Sequence, residues 1–168
     1  MDAVEPVEAF VALGSNLGDS LEIIQQAFGW LQGLSQAPVR RSSIWRSAPV
    51  DCPPGSPDFI NAVAGLIPNR GETPESLLVK LKELEVEFGR RPKMVLNEPR
   101  PLDLDLIAFG GELRGSGGLI LPHPRAHLRA FVLLPLSEIA PALILPGQTA
   151  SVSQLSSRIL DGSVSRLS

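Results

Sequence analysis

Tyrosine is absent from this 168-residue chain, and aromatic residues make up only 5% of it. An aromatic, basic sheet face of the kind that stacks single-stranded RNA is therefore not expected. A single cysteine, Cys52, excludes an internal disulfide and points to a reducing cytoplasm. Cys52 and the two histidines, His123 and His127, do not have zinc-ligand spacing. No apolar run approaches the ~18 residues of a membrane span, and the acidic start Met1-Asp2-Ala3-Val4-Glu5 lacks the apolar region of a secretory signal. There is no Gly-Lys-Ser/Thr and no Gly-x-Gly-x-x-Gly, so neither common glycine-rich nucleotide loop is available. Internal repeats and low-complexity tracts are missing as well. The formal net charge of −3 argues against a general nucleic-acid surface, so an anionic partner must be met by a local basic cluster.

The composition that remains is globular, with 43% hydrophobic and 20% charged residues, and the length suits one domain over 1–168. Glu8 to Leu13 reads as a strand ending at Gly14. Gly14-Ser15-Asn16-Leu17-Gly18-Asp19-Ser20 is a turn-rich loop whose backbone amides, ahead of a helix, favour an anion or a polar ring edge. Leu21, Ile24, Ala27, Phe28, Leu31 and Leu34 then recur at helical spacing. Val39 to Ser47 is a second strand, Ala48 to Asp58 a proline-rich loop, and Phe59 to Ile67 a third strand. Thr73-Pro74 starts a helix with Leu77, Leu78, Leu81, Leu84 and Phe88 on its buried face and Gly89 as terminator. Residues 90–101 form another long loop, Leu102 to Phe109 a strand, and Gly110-Gly111 a hairpin turn. Leu119 to Leu121, a helix from about Arg125 and a helix near 151–160 complete the chain. The order β-α-β-β-α-β plus a C-terminal addition predicts an α+β, ferredoxin-like antiparallel sheet with helices on its faces.

The segment richest in chemistry is Leu102-Asp103-Leu104-Asp105-Leu106. Alternate side chains of a strand share a face, so the leucines point to the core and the two aspartates point together to the other side. Two carboxylates about 7 Å apart repel by about 0.6 kcal/mol in water and about 2.4 kcal/mol at an effective dielectric of 20. A divalent cation relieves that repulsion, and two carboxylates plus substrate phosphates is a usual way to hold Mg²⁺. The alternative is a pair of solvated aspartates on an exposed strand face. The preceding loop, Gly89 to Pro101, carries Arg90, Arg91, Lys93 and Arg100 against the single acid Glu98. Guanidinium forks match phosphate oxygens, so loop and strand together suit a metal–polyphosphate substrate. Its alternative is a solvated charged loop. Pro122-His123-Pro124-Arg125-Ala126-His127-Leu128-Arg129 adds both histidines and two arginines, a further anion-site signal.

Several segments, taken together, resemble one family. They are Ala12-Leu13-Gly14-Ser15-Asn16-Leu17-Gly18, Pro57-Asp58-Phe59-Ile60-Asn61-Ala62, Phe88-Gly89-Arg90, Pro99-Arg100-Pro101-Leu102-Asp103-Leu104-Asp105-Leu106, and Pro122-His123 with Arg129-Ala130-Phe131. They look like the 6-hydroxymethyl-7,8-dihydropterin pyrophosphokinases of folate biosynthesis, in family order and over residues about 8–147. The resemblance implies a ferredoxin-like fold and the transfer of pyrophosphate from ATP to the pterin hydroxymethyl group, with release of AMP. It implies two Mg²⁺ ions on Asp103 and Asp105, with Arg90 and Arg100 closing over the phosphates as catalytic residues. By the same resemblance His123, Arg129 and Glu85 contact ATP, and Ser47, Ala48, Val50, Phe59, Asn61 and Phe131 recognise the pterin. For the two phenylalanines the alternative is plain core packing. Some members carry tryptophan where this chain has Asn97 and tyrosine where it has Pro124, and the loop Asp51 to Pro57 is about one residue longer than in some relatives. These departures bear on loop closure and affinity rather than on reaction type.

The expected partners are therefore ATP and the pterin, with no nucleic acid and no membrane. The expected state is a cytoplasmic monomer. Two competing readings share the fold: a ligand-sensing module without catalysis, and an RNA-binding domain, the latter disfavoured by the missing tyrosines and the negative charge.

Overall fold

The computed structural model describes residues 6–49, 52–89, 98–159 and 162–167. Among the described residues eight strands and four helices run in the order β1 (Ala9–Ser15), α1 (Ser20–Gln32), β2 (Arg40–Arg41), β3 (Trp45–Ser47), β4 (Phe59–Leu66), α2 (Pro74–Glu87), β5 (Asp103–Phe109), β6 (Arg114–Ser116), β7 (Leu119–Leu121), α3 (Ala130–Ile139), α4 (Val152–Ser157) and β8 (Val164–Arg166), with a 3₁₀ turn at Ala126–Leu128 before α3. The main sheet has the order β5-β1-β4-β3-β8, with β2 also paired to β4, and every pairing is antiparallel.

The sheet is covered on both faces because the residues of its central strand β1 alternate between two apolar cores. Ala9, Val11 and Leu13 face one core with Ala62, Ala64, Leu104 and Leu106, roofed by Ile24, Phe28 and Leu31 of α1 and Leu77, Leu81 and Leu84 of α2. Phe10 faces the other with Val63, Ile107 and Ala108, closed by Val132, Leu133 and Leu136 of α3 and Val152 of α4. The helices start where their caps place them. Asp19 accepts the Glu22 N–H at α1, and Thr73 and Ser76 cap α2 reciprocally, with proline in the first turn. Gly89, at φ +94°, ends α2 in the left-handed region that glycine adopts at no steric cost.

Three expectations from the sequence are corrected, and one strand was not expected. The strand expected over Val39 to Ser47 is broken into β2 and β3. Ser42 both donates its N–H to Val63 O (3.0 Å) and accepts the Val63 N–H on Oγ (2.8 Å), so a side chain replaces a carbonyl in the ladder. The hairpin expected at Gly110-Gly111 is not formed by β5, since those glycines make a turn and the hairpin is β6–β7 beyond it. The helix expected from about Arg125 begins as the 3₁₀ turn and becomes α-helical at Ala130. The C-terminal tail holds β8, which pairs with β3 and which no periodicity in three residues could reveal.

One irregularity positions the site. Phe10 opposes Ala108 but Val11 opposes Leu106, so Ile107 is an extra residue in β5. Ile107 and Ala108 can then both enter the α3-side core while Leu104 and Leu106 stay on the opposite face. The Ile107 carbonyl accepts the His123 N–H at 2.8 Å, which brings the 122–129 segment to this strand.

Candidate active site

On the α3 side of the sheet, past the start of α3, lies a cleft of about 470 Å³. Its floor is the ends of β1, β4 and β5. Gly14 opposes Asn61 on one side and Asp103 on the other, so a glycine separates the amide from the carboxylate. The cleft is lined by Ser47, Ala48, Cys52 and Phe59, by Arg100, Asp103 and Asp105, and by Arg125, Leu128, Arg129 and Phe131.

Strand alternation places Asp103 and Asp105 on the same face, as the pattern required, and both line the cleft. Burial first, then the charge of Asp103, pushes the Asp105 carboxyl up to about 6 from its ordinary 3.8, while Lys82 and Arg129 act in the opposite direction. Arg100 Nη1 lies 3.6 Å from Asp103 Oδ2. Its Cζ stands 5.7 Å from the centroid of the Phe59 ring, and its Nε is fully buried without a hydrogen-bond partner. A second guanidinium, that of Arg129, stands 5.4 Å from the centroid of Phe131. Each ring therefore has a cation over one face, and neither is spent on core packing alone.

The polar anchor of the ring side is Asn61, buried at 4% exposure. Its Nδ2 donates to Ser47 Oγ (2.8 Å). Its Oδ1 lies 3.6 Å from where a side chain at Gly14 would begin, so an acceptor is presented at the cleft floor. His123 accepts the Arg125 N–H on Nδ1 (3.2 Å), which leaves its proton on Nε2. Burial, with Arg129 and Arg125 nearby, holds its pKa below 6.5, so the neutral ring is a donor through Nε2 at pH 7.

Of the residues predicted from sequence, Ser47, Ala48, Phe59, Asn61, Arg100, Asp103, Asp105, Arg129 and Phe131 are brought together in this cleft. His123 stands beside it through Arg125. Arg90 and Val50, like Asn97, lie outside the described residues. Glu85 is not on the cleft wall. It is buried on α2, where it accepts the Leu104 N–H (2.7 Å) and pairs with Lys82 (3.3 Å), so its carboxylate serves the outer edge of β5. The amide of Asn16, in the loop expected to offer free N–H groups, is bonded to Arg100 O at 3.1 Å. Arg125 and Gly14 were not singled out as site residues. Arg125 was visible only as one more cation in a basic stretch, and Gly14 only as a strand end.

The donor set of the carboxylate side is two aspartates, and no group of three His, Cys, Asp or Glu residues able to hold a metal occurs among the described residues. That set fits an ion carried in by phosphate oxygens better than one held by protein alone. The buried, unpartnered Arg100 Nε beside it is a donor suited to a phosphate oxygen.

An antiparallel α+β protein that gathers two carboxylates, several arginines and an aromatic–amide wall in one cleft is built to handle a polyphosphate beside a flat heterocycle. The comparisons make this specific. The family model for 7,8-dihydro-6-hydroxymethylpterin-pyrophosphokinase (HPPK) matches residues 10–141, and the chain belongs to that family. It is 41% identical over 138 residues to the 2-amino-4-hydroxy-6-hydroxymethyldihydropteridine pyrophosphokinase of Pseudomonas aeruginosa, covering 82% of this chain and 83% of that one. It is 38% identical over 141 residues to the enzyme of the same name from Haemophilus influenzae, covering 83% and 86%. Among solved structures it is similar to Plasmodium falciparum HPPK-DHPS wild type with SDX-DHP, with a TM-score of 0.71 over 92% of this chain and 44% of that one. At 12% identity that likeness speaks to the fold.

Proposed function

We propose that the cleft between Asp103/Asp105 and Phe59/Asn61 is where this pyrophosphokinase joins its two substrates. The enzyme transfers pyrophosphate from ATP to the hydroxymethyl group of 6-hydroxymethyl-7,8-dihydropterin in folate biosynthesis. The observation that carries the site assignment is the convergence on one cleft of the carboxylate pair, the buried unpartnered Nε of Arg100 and the ring–amide wall.

In this reading the pterin lies between the free faces of Phe59 and Phe131, and its polar edge meets Asn61 Oδ1 and Ser47. Arg100 and Arg129, with Arg90 and the Nε2–H of His123, take the phosphate oxygens. Asp103 and Asp105 would hold Mg²⁺, which supplies charge neutralisation on the phosphates and acidifies the attacking hydroxyl. The pterin oxygen forms a bond to the β-phosphorus, the bond from that phosphorus to the α-phosphate oxygen breaks, and AMP leaves with the electron pair. The hydroxyl proton is lost to solvent, since the two carboxylates of the cleft are taken up in this reading by the metal. The work of the protein is alignment of the two reactants and stabilisation of the transferred charge by fixed guanidinium groups.

Among the described residues no helix is long and apolar enough to cross a membrane. We further propose that the enzyme acts as one domain, as a monomer and in the cytoplasm, the single cysteine suiting a reducing compartment. The assay is direct: incubate the protein with Mg-ATP and the pterin and resolve the nucleotides. One AMP per pterin consumed is expected; ADP as the stoichiometric product, or no pterin-dependent AMP, overturns the reading.

A further inference from the structure

A buried polar residue lies just past β1. Asn16 is 2% exposed, although it is a polar residue in a loop. Its main chain and side chain hold Arg100 reciprocally: Asn16 N–H donates to Arg100 O (3.1 Å) and Arg100 N–H donates to Asn16 Oδ1 (2.9 Å). Its Nδ2 donates to Pro57 O (3.3 Å). β1 is flanked by β4 and β5, both antiparallel to it, so the chain enters both neighbours at the end where β1 leaves the sheet. Asn16 thus staples the segment entering β4, two residues before Phe59, to the segment entering β5, three residues before Asp103.

We infer that Asn16 is a positioning residue for pyrophosphoryl transfer, fixing the Arg100 backbone so that its guanidinium faces the phosphate half of the cleft at a set distance from the Phe59 half. The inference rests on the functional reading above. The side chain required is specific. It must present an acceptor to one backbone N–H and a donor to one carbonyl, on a stem of one carbon; aspartate lacks the donor, glutamine is longer, and serine cannot span both. The guanidinium itself touches Asp103 at 3.6 Å and the Phe59 ring at 5.7 Å from Cζ, and its Nε has no hydrogen-bond partner. Those contacts act at the end of the side chain, and the Asn16 bonds fix the main chain from which it starts.

The test is a double-mutant cycle of Asn16→Ala and Arg100→Ala, read as kcat and as KM for each substrate. If Asn16 acts through Arg100, Asn16→Ala lowers kcat by about tenfold to hundredfold alone, the scale of a small misplacement, and by less than about threefold when Arg100 is already alanine. An equal loss in both backgrounds overturns the inference, because a merely structural residue adds its effect regardless of Arg100. Asn16→Asp keeps the acceptor for Arg100 N–H but sets an oxygen against Pro57 O; it rescues most of the kcat lost in Asn16→Ala while raising the pterin KM. A kcat as low as that of the alanine variant overturns the inference, as does failure of both variants to fold. Amide hydrogen exchange separates this claim from the functional reading. If the wild type forms no pterin-dependent AMP, that reading falls. Exchange of the Arg100 amide, about tenfold faster in Asn16→Ala with β4 unchanged, still supports the positioning, and unchanged exchange sinks it.

Discussion

The guanidinium of Arg100 lies over the ring of Phe59, 5.7 Å from Cζ to centroid. In the proposed reading the cation belongs to the phosphate half of the cleft and the ring to the pterin half, which would put the two half-sites in physical contact before either substrate arrives. A cation over an aromatic face is worth on the order of 1 kcal/mol, enough for the two to bias one another's position.

Phe59→Leu tests that contact. The leucine keeps bulk but removes the flat ring from both the pterin and Arg100. Pterin KM is expected to rise about tenfold, with a smaller fall in kcat as Arg100 loses its support. Steady-state kinetics with each substrate varied in turn checks it; an effect on ATP KM alone would contradict the arrangement.

Asp105→Asn is expected to remove activity and to stabilise the protein. With its pKa raised from 3.8 to about 6, the folded Asp105 binds its proton more tightly than the unfolded one. Folding therefore takes up protons between these values, and this residue's contribution falls as pH rises through that window and stays low above it. Asparagine abolishes the fall, so at pH 7 the variant should be more stable by on the order of 1–3 kcal/mol, while turnover drops by about a hundredfold or more. Denaturant melts from pH 4 to 7.5 give the slope. Mg²⁺ added together with ATP should raise the wild-type melting temperature at pH 7.5 and raise that of the variant less.

His123 contributes with the opposite sign. Its pKa is held below 6.5 in the fold, so below that pH the unfolded chain takes up a proton that the folded one resists. Its contribution is intact above 6.5 and is lost as pH falls below it. His123→Asn should flatten stability between pH 5 and 6.5 in the same melts, and a slope identical to wild type would contradict a neutral imidazole.

Gly14→Ala probes the floor of the cleft. Gly14 does not have a positive φ, and an added Cβ would meet Asn61 Oδ1 and a Phe59 ring carbon at 3.6 Å each, ordinary contacts. The variant should fold with an unchanged melting temperature. The methyl group occupies space above β1, and pterin KM is expected to rise by about tenfold or more. Unchanged pterin KM would remove Gly14 from the site.

What the sequence disclosed and what it concealed have separate causes. The carboxylate pair was legible because a strand of period two forces Asp103 and Asp105 to one side whatever surrounds it. The helices were legible through their caps and apolar spacing. The break at Ser42 was not, because it depends on one hydroxyl replacing a carbonyl in a ladder, which leaves no periodic trace. β8 is too short to carry a pattern and takes its conformation from β3. Asn16 read as an ordinary turn residue, since its partners are 41 and 84 positions away. Glu85 enters as an ATP contact only through the family resemblance, and its bond to the Leu104 N–H is visible only in the fold.

That bond has a consequence for handling the protein. β5 is the last strand of the sheet on its side, and an open strand invites edge-to-edge self-association with a neighbouring molecule. By engaging the outward N–H of Leu104, Glu85 withdraws a rung from that template. The strand bearing both aspartates is thus also the one most open to intermolecular zippering, and in concentrated solution loss of the Glu85 carboxylate would surface first as precipitation.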